Sequence, residues 1–246
     1  MIDCGSEPAA RDAAANSLLH IEDDPWAADI VRGVVAGWPA IQHLGVATSG
    51  SMGLALCRQH QPDIVLLDLR LPDIDGFTVA HALAALVPVP RVILLTVCRD
   101  EFTLHCCAHA PIHSLLWKDE KIGTHLYTAI HEVLAGRRYF PPEVNERLKK
   151  LRQDPGAFPK ILSTHEIELL RLFGRGQTNT EVAANVGLAP LTVKWHRQHI
   201  MAKLGLSGTL DLINWAREKG FVTDQVAAPD PEKPFRSAKP WPDVIR

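Results

Sequence analysis

Five short apolar runs, each followed by a longer stretch with helical spacing, fill the sequence from Ser17 to about residue 138. Strands interleaved with helices in this way build a parallel sheet with helices on its faces. The spacing predicts strands at Leu18–Ile21, Leu44–Thr48, Ile64–Leu67, Val92–Leu95 and His113–Leu116, and helices near 26–37, 51–60, 77–86, 100–109 and 121–135. In the last helix Ile122, Leu126, Ile130 and Leu134 recur at steps of four and share one face. The expected fold over 17–138 is α/β, a five-stranded doubly wound parallel sheet.

The pattern changes after Gly136. Pro141, Pro142, Pro155 and Pro159 flank a charged stretch, Glu143–Arg152, so 139–158 reads as a linker with room for one short helix. Ser163-Thr164-His165-Glu166 and Thr178-Asn179-Thr180-Glu181 both have the capping-box form, in which hydroxyl and carboxylate each satisfy a free backbone N–H. Two further helices are expected from Pro190 and from about Thr209 to Gly220. A small all-α domain of four helices over 159–223 results. Residues 1–16 read as an N-terminal tail, and the Pro-rich 224–246 as a disordered one.

With 46% hydrophobic and 22% charged residues and a mean hydropathy of −0.01, the chain has globular rather than fibrous or membrane composition. No apolar run approaches the ~20 residues of a membrane span, and the acidic N-terminus is unlike a secretory signal; a cytoplasmic protein with no membrane partner is expected. Five cysteines without a Cys-x-x-Cys pair suit reduced thiols better than disulfides or a zinc ribbon. The net charge of −2 hides an asymmetry: nine Lys and Arg against thirteen Asp and Glu over 18–138, but eight against five over 159–223. Only the second segment would attract a phosphate backbone.

Ligands of a doubly wound sheet bind at the carboxyl ends of its strands. There the sequence places Glu22, Asp23 and Asp24 after the first run, Asp68 after the third, Thr96 after the fourth and Lys118 after the fifth. Clustered carboxylates repel one another unless a cation neutralises them, and such oxygen donors favour Mg²⁺, which also takes phosphate oxygens. Asp68 is then a candidate nucleophile that accepts a phosphoryl group as an acyl phosphate, with Lys118 offsetting the developing charge and Thr96 donating a hydrogen bond. The bland alternative is an acidic strand edge that is merely solvated.

The run Asp68-Leu69-Arg70-Leu71-Pro72-Asp73-Ile74-Asp75-Gly76 resembles the Asp-x-x-Met-Pro-x-x-Asp-Gly signature of two-component response-regulator receivers, and the resemblance covers about 18–138. It implies a flavodoxin-like fold, Asp68 as phosphoacceptor, Glu22 and Asp23 as the acidic pair at Mg²⁺, and the backbone carbonyl of Arg70 as a further ligand. Thr96 and Lys118 take the family's hydroxyl and lysine positions, and a histidine kinase is the implied phosphate donor. Two positions depart. Leu115 stands where the family has Tyr or Phe three residues before the lysine, which puts an aromatic switch coupled to Thr96 in doubt; Leu71 replaces Met with little change in volume.

In the basic segment, a tight helix–turn–helix suits insertion of one helix into a DNA major groove. From Pro190 onward Val193, His196, Ile200 and Leu204 would face a core, whereas Lys194, Trp195 and Gln198 share another face and could reach base edges. His196 reads as a packed core histidine. Leu162–Val222 resembles the LuxR-type DNA-binding domain through Asn179-Thr180-Glu181-Val182-Ala183, Thr192-Val193-Lys194-Trp195-His196 and Lys203-Leu204-Gly205. Receiver plus this module is the NarL/FixJ class of transcription factor. The resemblance implies promoter DNA as partner, with Thr192, Lys194 and Lys203 near phosphates or bases. It also implies a homodimer joined through the last helix, and RNA polymerase as a further partner. Ala189 stands where the family places a Ser-like cap.

Other readings use the same residues. A phosphorylation-independent regulator would keep an intact receiver. An aspartyl-phosphate hydrolase would want a second acid two residues beyond Asp68, where this chain has Arg70. His105, Cys106, Cys107 and His109 are soft or borderline metal ligands, but adjacent cysteines diverge by about 100° on a helix and no four-ligand spacing is visible.

Overall fold

The computed structural model describes residues 15–222; the expected C-terminal tail and most of the N-terminal one lie outside the described residues. The described chain divides into two compact units, 15–96 with 111–140 and 97–110 with 141–222.

The first unit holds β1 (Asn16–Ile21), α1 (Pro25–Ala36), β2 (Ile41–Ala47), α2 (Gly50–His60), β3 (Ile64–Asp68), α3 (Gly76–Leu83) and β4 (Arg91–Thr96). The second unit takes α4 (Glu101–His109), after which β5 (Ser114–Trp117) and α5 (Ile122–Leu134) return to the first. The sheet is parallel throughout, in the order β2-β1-β3-β4-β5. Every residue of β3 is buried, as a central strand covered on both faces requires. Leu18 of β1, Leu66 of β3 and Leu95 of β4 join Val31 and Val35 of α1 and Leu126, Ile130 and Val133 of α5 in one core cluster. On the other face Ile21 fills the space a Cβ at Gly53 would need, so α2 sits close against β1. Because β1 lies between β2 and β3, the crossovers on its two sides run in opposite directions and open a crevice at the carboxyl ends of β1 and β3.

The second unit contains, besides α4, α6 (Pro142–Gln153), α7 (Phe158–Ile161), α8 (Thr164–Gly174), α9 (Asn179–Val186), α10 (Pro190–Leu204) and α11 (Thr209–Glu218). The expected linker thus carries three turns of helix and leads into one further turn. Only Val144 and Leu148 of α6 are buried and half of its residues are charged, so its sequence carries little apolar pattern. Phe158, Leu169, Phe173, Val182, Val193, Ile200 and Leu212 form the core, and Phe102 of α4 packs on it with its ring 4.5 Å from that of Phe221. By its contacts α4 clusters with the helices of the second unit, through Phe102 and the 2.6 Å ion pair between Lys219 Nζ and Glu101 Oε1.

Both capping boxes are closed. That of α8 does more than cap: Glu166 Oε2 accepts from Ser163 N at 2.8 Å and from Lys203 Nζ on α10 at 2.7 Å. These bonds outweigh partial burial and hold the Glu166 carboxyl below its ordinary range. Glu166→Ala removes the cap and the inter-helix tie together, and should lower the stability of this unit by about 2 kcal/mol in urea unfolding.

Candidate functional site

The crevice between β1 and β3 gathers the acids. Carboxylate oxygens of Glu22, Asp23 and Asp68 lie within 4.8 Å of one another, and among the described residues this is the one group of three or more potential metal-ligating side chains found so close together. Their placement is enforced by backbone. Glu22 follows β1, where its N–H donates to Ala47 O at 2.8 Å; Asp68 ends β3, with Oδ1 accepting the Leu69 N–H at 2.7 Å. Lys118 follows β5 and donates its N–H to the Thr96 carbonyl at 2.9 Å, which ties the lysine and hydroxyl positions together. Its ammonium lies 2.6 Å from Glu22 Oε2 and 3.1 Å from Asp68 Oδ1. Thr96 is fully buried at the end of β4.

Burial dominates the electrostatics. It pushes the Glu22 carboxyl up to about 7, with the Asp68 charge adding to the rise and Lys118 and the Asp24 N–H opposing it. Asp68 is also raised, again by burial, against the pull of Lys118 and the N–H groups of Arg70 and Leu69. Two carboxylates and one ammonium leave the buried set short of positive charge. Oxygen donors in this arrangement fit Mg²⁺, which binds through one or two carboxylates and keeps positions for phosphate. Behind them His20 is held neutral, its imidazole lowered to about 3 by burial and by the nearby Lys118, His43 and Arg32.

The remaining acids of the two motifs are structural. Asp24 caps α1 by accepting from Trp26 N at 2.9 Å, and Asp75 caps α3 through Thr78 N at 3.1 Å. Asp73 accepts from Gly50 N at 2.8 Å and Ser51 N at 2.9 Å at the start of α2; slight burial opposes these bonds, but they bring its carboxyl down to about 2. A Cβ at Gly76 would overlap the Asp68 carbonyl oxygen, so glycine is required for α3 to start against the end of β3. Sequence reasoning missed the anchoring role of Asp73, although a carboxylate facing a Ser49-Gly50 helix start was a usable signal. Leu115 is fully buried in β5, and the aromatic of that strand, Trp117, directly precedes the lysine.

On α10, Thr192, Lys194, Trp195 and Gln198 are exposed, while Val193 and Ile200 are fully buried. His196 is half-buried at the rim rather than in the core, its ring 5.2 Å from Trp195 and 5.3 Å from His165. Arg197 points inward, with its guanidinium 4.3 Å over the Phe173 ring and Nη2 donating to Gln177 O at 2.6 Å. Lys203 is exposed but tied to Glu166. The His105–His109 set is spent on packing: His105 meets Phe158 edge-on at 5.3 Å, Cys107 is fully buried, and burial raises its thiol well above the ordinary value.

Two family models match the chain, the response regulator receiver domain over 18–130 and the luxR family of bacterial regulatory proteins over 160–216. The chain is 28% identical over 207 residues to the transcriptional regulatory protein MctR of Rhizobium johnstonii, covering 84% of this chain and 95% of that protein. It is 31% identical over 169 residues to the probable transcriptional regulatory protein NarL of Mycobacterium tuberculosis, covering 68% and 78%. Among solved structures, RcsB from Salmonella enterica serovar Typhimurium, bound to a promoter in the presence of phosphomimetic BeF3-, is similar with a TM-score of 0.59 at 22% identity over 82% of this chain and 97% of that one. A receiver crevice on a doubly wound sheet, a helix–turn–helix unit and these matches together show that the chain belongs to the response regulators of the NarL/FixJ class, which join a receiver domain to a LuxR-type DNA-binding domain.

Proposed function

We propose that this response regulator accepts a phosphoryl group on Asp68 from a histidine kinase and thereby controls its binding to promoter DNA. The observation that carries the reading is the convergence of Glu22, Asp23 and Asp68 oxygens within 4.8 Å, with the Lys118 ammonium 3.1 Å from Asp68. An Asp68 oxygen attacks phosphorus in line, the bond from phosphorus to the kinase imidazole nitrogen breaks, and the imidazole leaves with the electron pair. Lys118 shifts from the carboxylates to the transferred oxygens, and Thr96 at the neighbouring strand end donates a hydrogen bond to them. Glu22, Asp23, Asp68 and the Arg70 carbonyl would hold Mg²⁺, which when bound would supply positive charge for the phosphoryl oxygens. Incubation with acetyl phosphate should label the protein with Mg²⁺ and not after chelation. Absence of label in both conditions would overturn the reading.

At the other unit α10 enters the major groove. Lys194, Trp195 and Gln198 address base edges, and Thr192 and Lys203 lie near phosphates, with Lys203 exchanging Glu166 for the backbone. Two copies, joined through α11, read two half-sites, and avidity makes dimerisation a natural lever for phosphorylation. RNA polymerase is the further partner this reading implies. No helix among the described residues is long and apolar enough to cross a membrane, and we place the protein in the cytoplasm with its DNA. Lys194→Ala should weaken promoter binding about tenfold, measured by fluorescence anisotropy at fixed salt.

A further inference from the structure

β1 carries one fully buried polar side chain, His20, that phosphoryl acceptance as described does not use. His20 has no exposed surface and lies two residues from both Leu18 and Glu22, on the face of the strand that α1 and α5 cover. Neither ring nitrogen has a hydrogen-bond partner. A neutral imidazole offers one donor and one acceptor, and leaving both unmade in an apolar interior costs stability that an apolar side chain of similar size would not. His20 Nε2 lies 3.7 Å from Glu22 Oε2, just beyond hydrogen-bond range.

The surroundings of Glu22 give that approach a meaning. Its Oε1 accepts the Asp24 N–H at 3.2 Å, and its Oε2 is met by Lys118 Nζ at 2.6 Å. The second support is shared, because the same ammonium lies 3.1 Å from Asp68 Oδ1. If Lys118 follows the phosphoryl group, Oε2 loses its cation and His20 is the group left beside it. Closing 3.7 Å to a hydrogen bond takes less than an ångström of movement.

We propose that His20 is a positioning residue for the acidic site: when a divalent cation binds and Lys118 turns toward Asp68, His20 Nε2–H donates to Glu22 Oε2 and fixes the carboxylate in the orientation the cation requires. The proposal rests on the Mg²⁺ reading of the crevice. Carboxylates that ligate metals are themselves held by hydrogen bonds, and loss of such a partner typically weakens metal affinity 10–100-fold.

The test compares the full-length protein with His20→Leu and His20→Gln. Mg²⁺ is titrated by intrinsic tryptophan fluorescence, for which Trp117 beside Lys118 is a built-in reporter. His20→Leu should weaken Mg²⁺ binding by about 10–100-fold, and His20→Gln, which restores a donor, should recover most of the loss. In metal-free buffer His20→Leu should raise the thermal midpoint, the opposite of what a packing role gives. Acetyl phosphate labelling at saturating Mg²⁺ separates the two levels. A wild-type protein that neither binds Mg²⁺ nor takes label overturns the site reading and this proposal with it. A wild-type protein that does both, beside a His20→Leu variant that binds Mg²⁺ equally well, overturns the role of His20 alone. Should the leucine variant not fold, long-range proton–nitrogen NMR of the wild-type ring decides: the expected tautomer in the Mg²⁺ form carries its proton on Nε2, with a shift that responds to the cation, and a proton on Nδ1 with no response overturns the proposal.

Discussion

Asp68→Asn takes no label from acetyl phosphate at any Mg²⁺ concentration, while its metal-free form is at least as stable as the parent. In the proposed transfer the amide removes the anionic oxygen that would attack phosphorus, and with it one of the three carboxylates of the acidic cluster, so the expected loss of transfer is complete rather than partial. Stability moves the other way because the parent keeps a buried carboxyl whose proton affinity burial has raised. A neutral isostere lightens that cost, its carbonyl oxygen still accepts the Leu69 N–H now at 2.7 Å, and Lys118 retains Glu22 at 2.6 Å. Intact mass after labelling and thermal melts of the two proteins check both halves. Label retained at parental level would remove Asp68 from the chemistry.

The residues carrying that prediction were legible because strand ends are. Apolar runs of four or five residues fix where β1, β3 and β4 stop, and a polar residue directly after such a run must emerge at the sheet edge. Glu22, Asp68 and Thr96 follow from that rule, and Lys118 from the shorter apolar run Leu115–Trp117 that ends β5. β2 was harder: only its last residue, Ala47, is fully buried, and a register shift beside Leu18/Leu19 accompanies Gly45, whose φ is +127°. Its apolar pattern is diluted by Gln42 and His43, which explains a strand that begins three residues earlier than expected.

What sequence could not distinguish was the use of like residues. Asp23, Asp24, Asp73 and Asp75 look alike in one dimension, yet Asp24 and Asp75 cap helices and Asp73 anchors α2, because each faces free N–H groups at a helix start. The same holds for cations on α10. Arg197 and Lys194 are three residues apart, but the first lies over Phe173 and only the second is exposed. Spacing on a helix gives relative faces; which face is the core depends on α8 and α9, whose packing lies outside the local pattern. α4 shows the limit, since Leu104 and Cys107 are buried while Phe102 serves the helical core, so its sequence carries no single apolar stripe.

The second large effect is in pH. Glu22 moves from an ordinary 4.5 to about 7 on folding, so between those values the native protein holds a proton that the unfolded chain has released. Stability then falls as pH rises, since its slope follows the protons bound by the unfolded state minus those bound by the native one, here negative. This group's contribution is fully present below about pH 4.5 and is lost as pH rises through about 7. A cation reverses the sense, because Mg²⁺ competes with the proton for the same oxygens. With a group titrating near 7, the ionised fraction changes about tenfold between pH 6 and pH 8, and Mg²⁺ affinity should strengthen by about that factor over the interval. The metal-free melting temperature should decline across the same range, and Glu22→Gln should flatten that decline. Calorimetric titration of Mg²⁺ at pH 6, 7 and 8, with proton uptake read from two buffers of different ionisation enthalpy, measures both the affinity and the proton released. Affinity constant across that range, with no proton release, would mean that Glu22 is already ionised and that burial does not govern its charge.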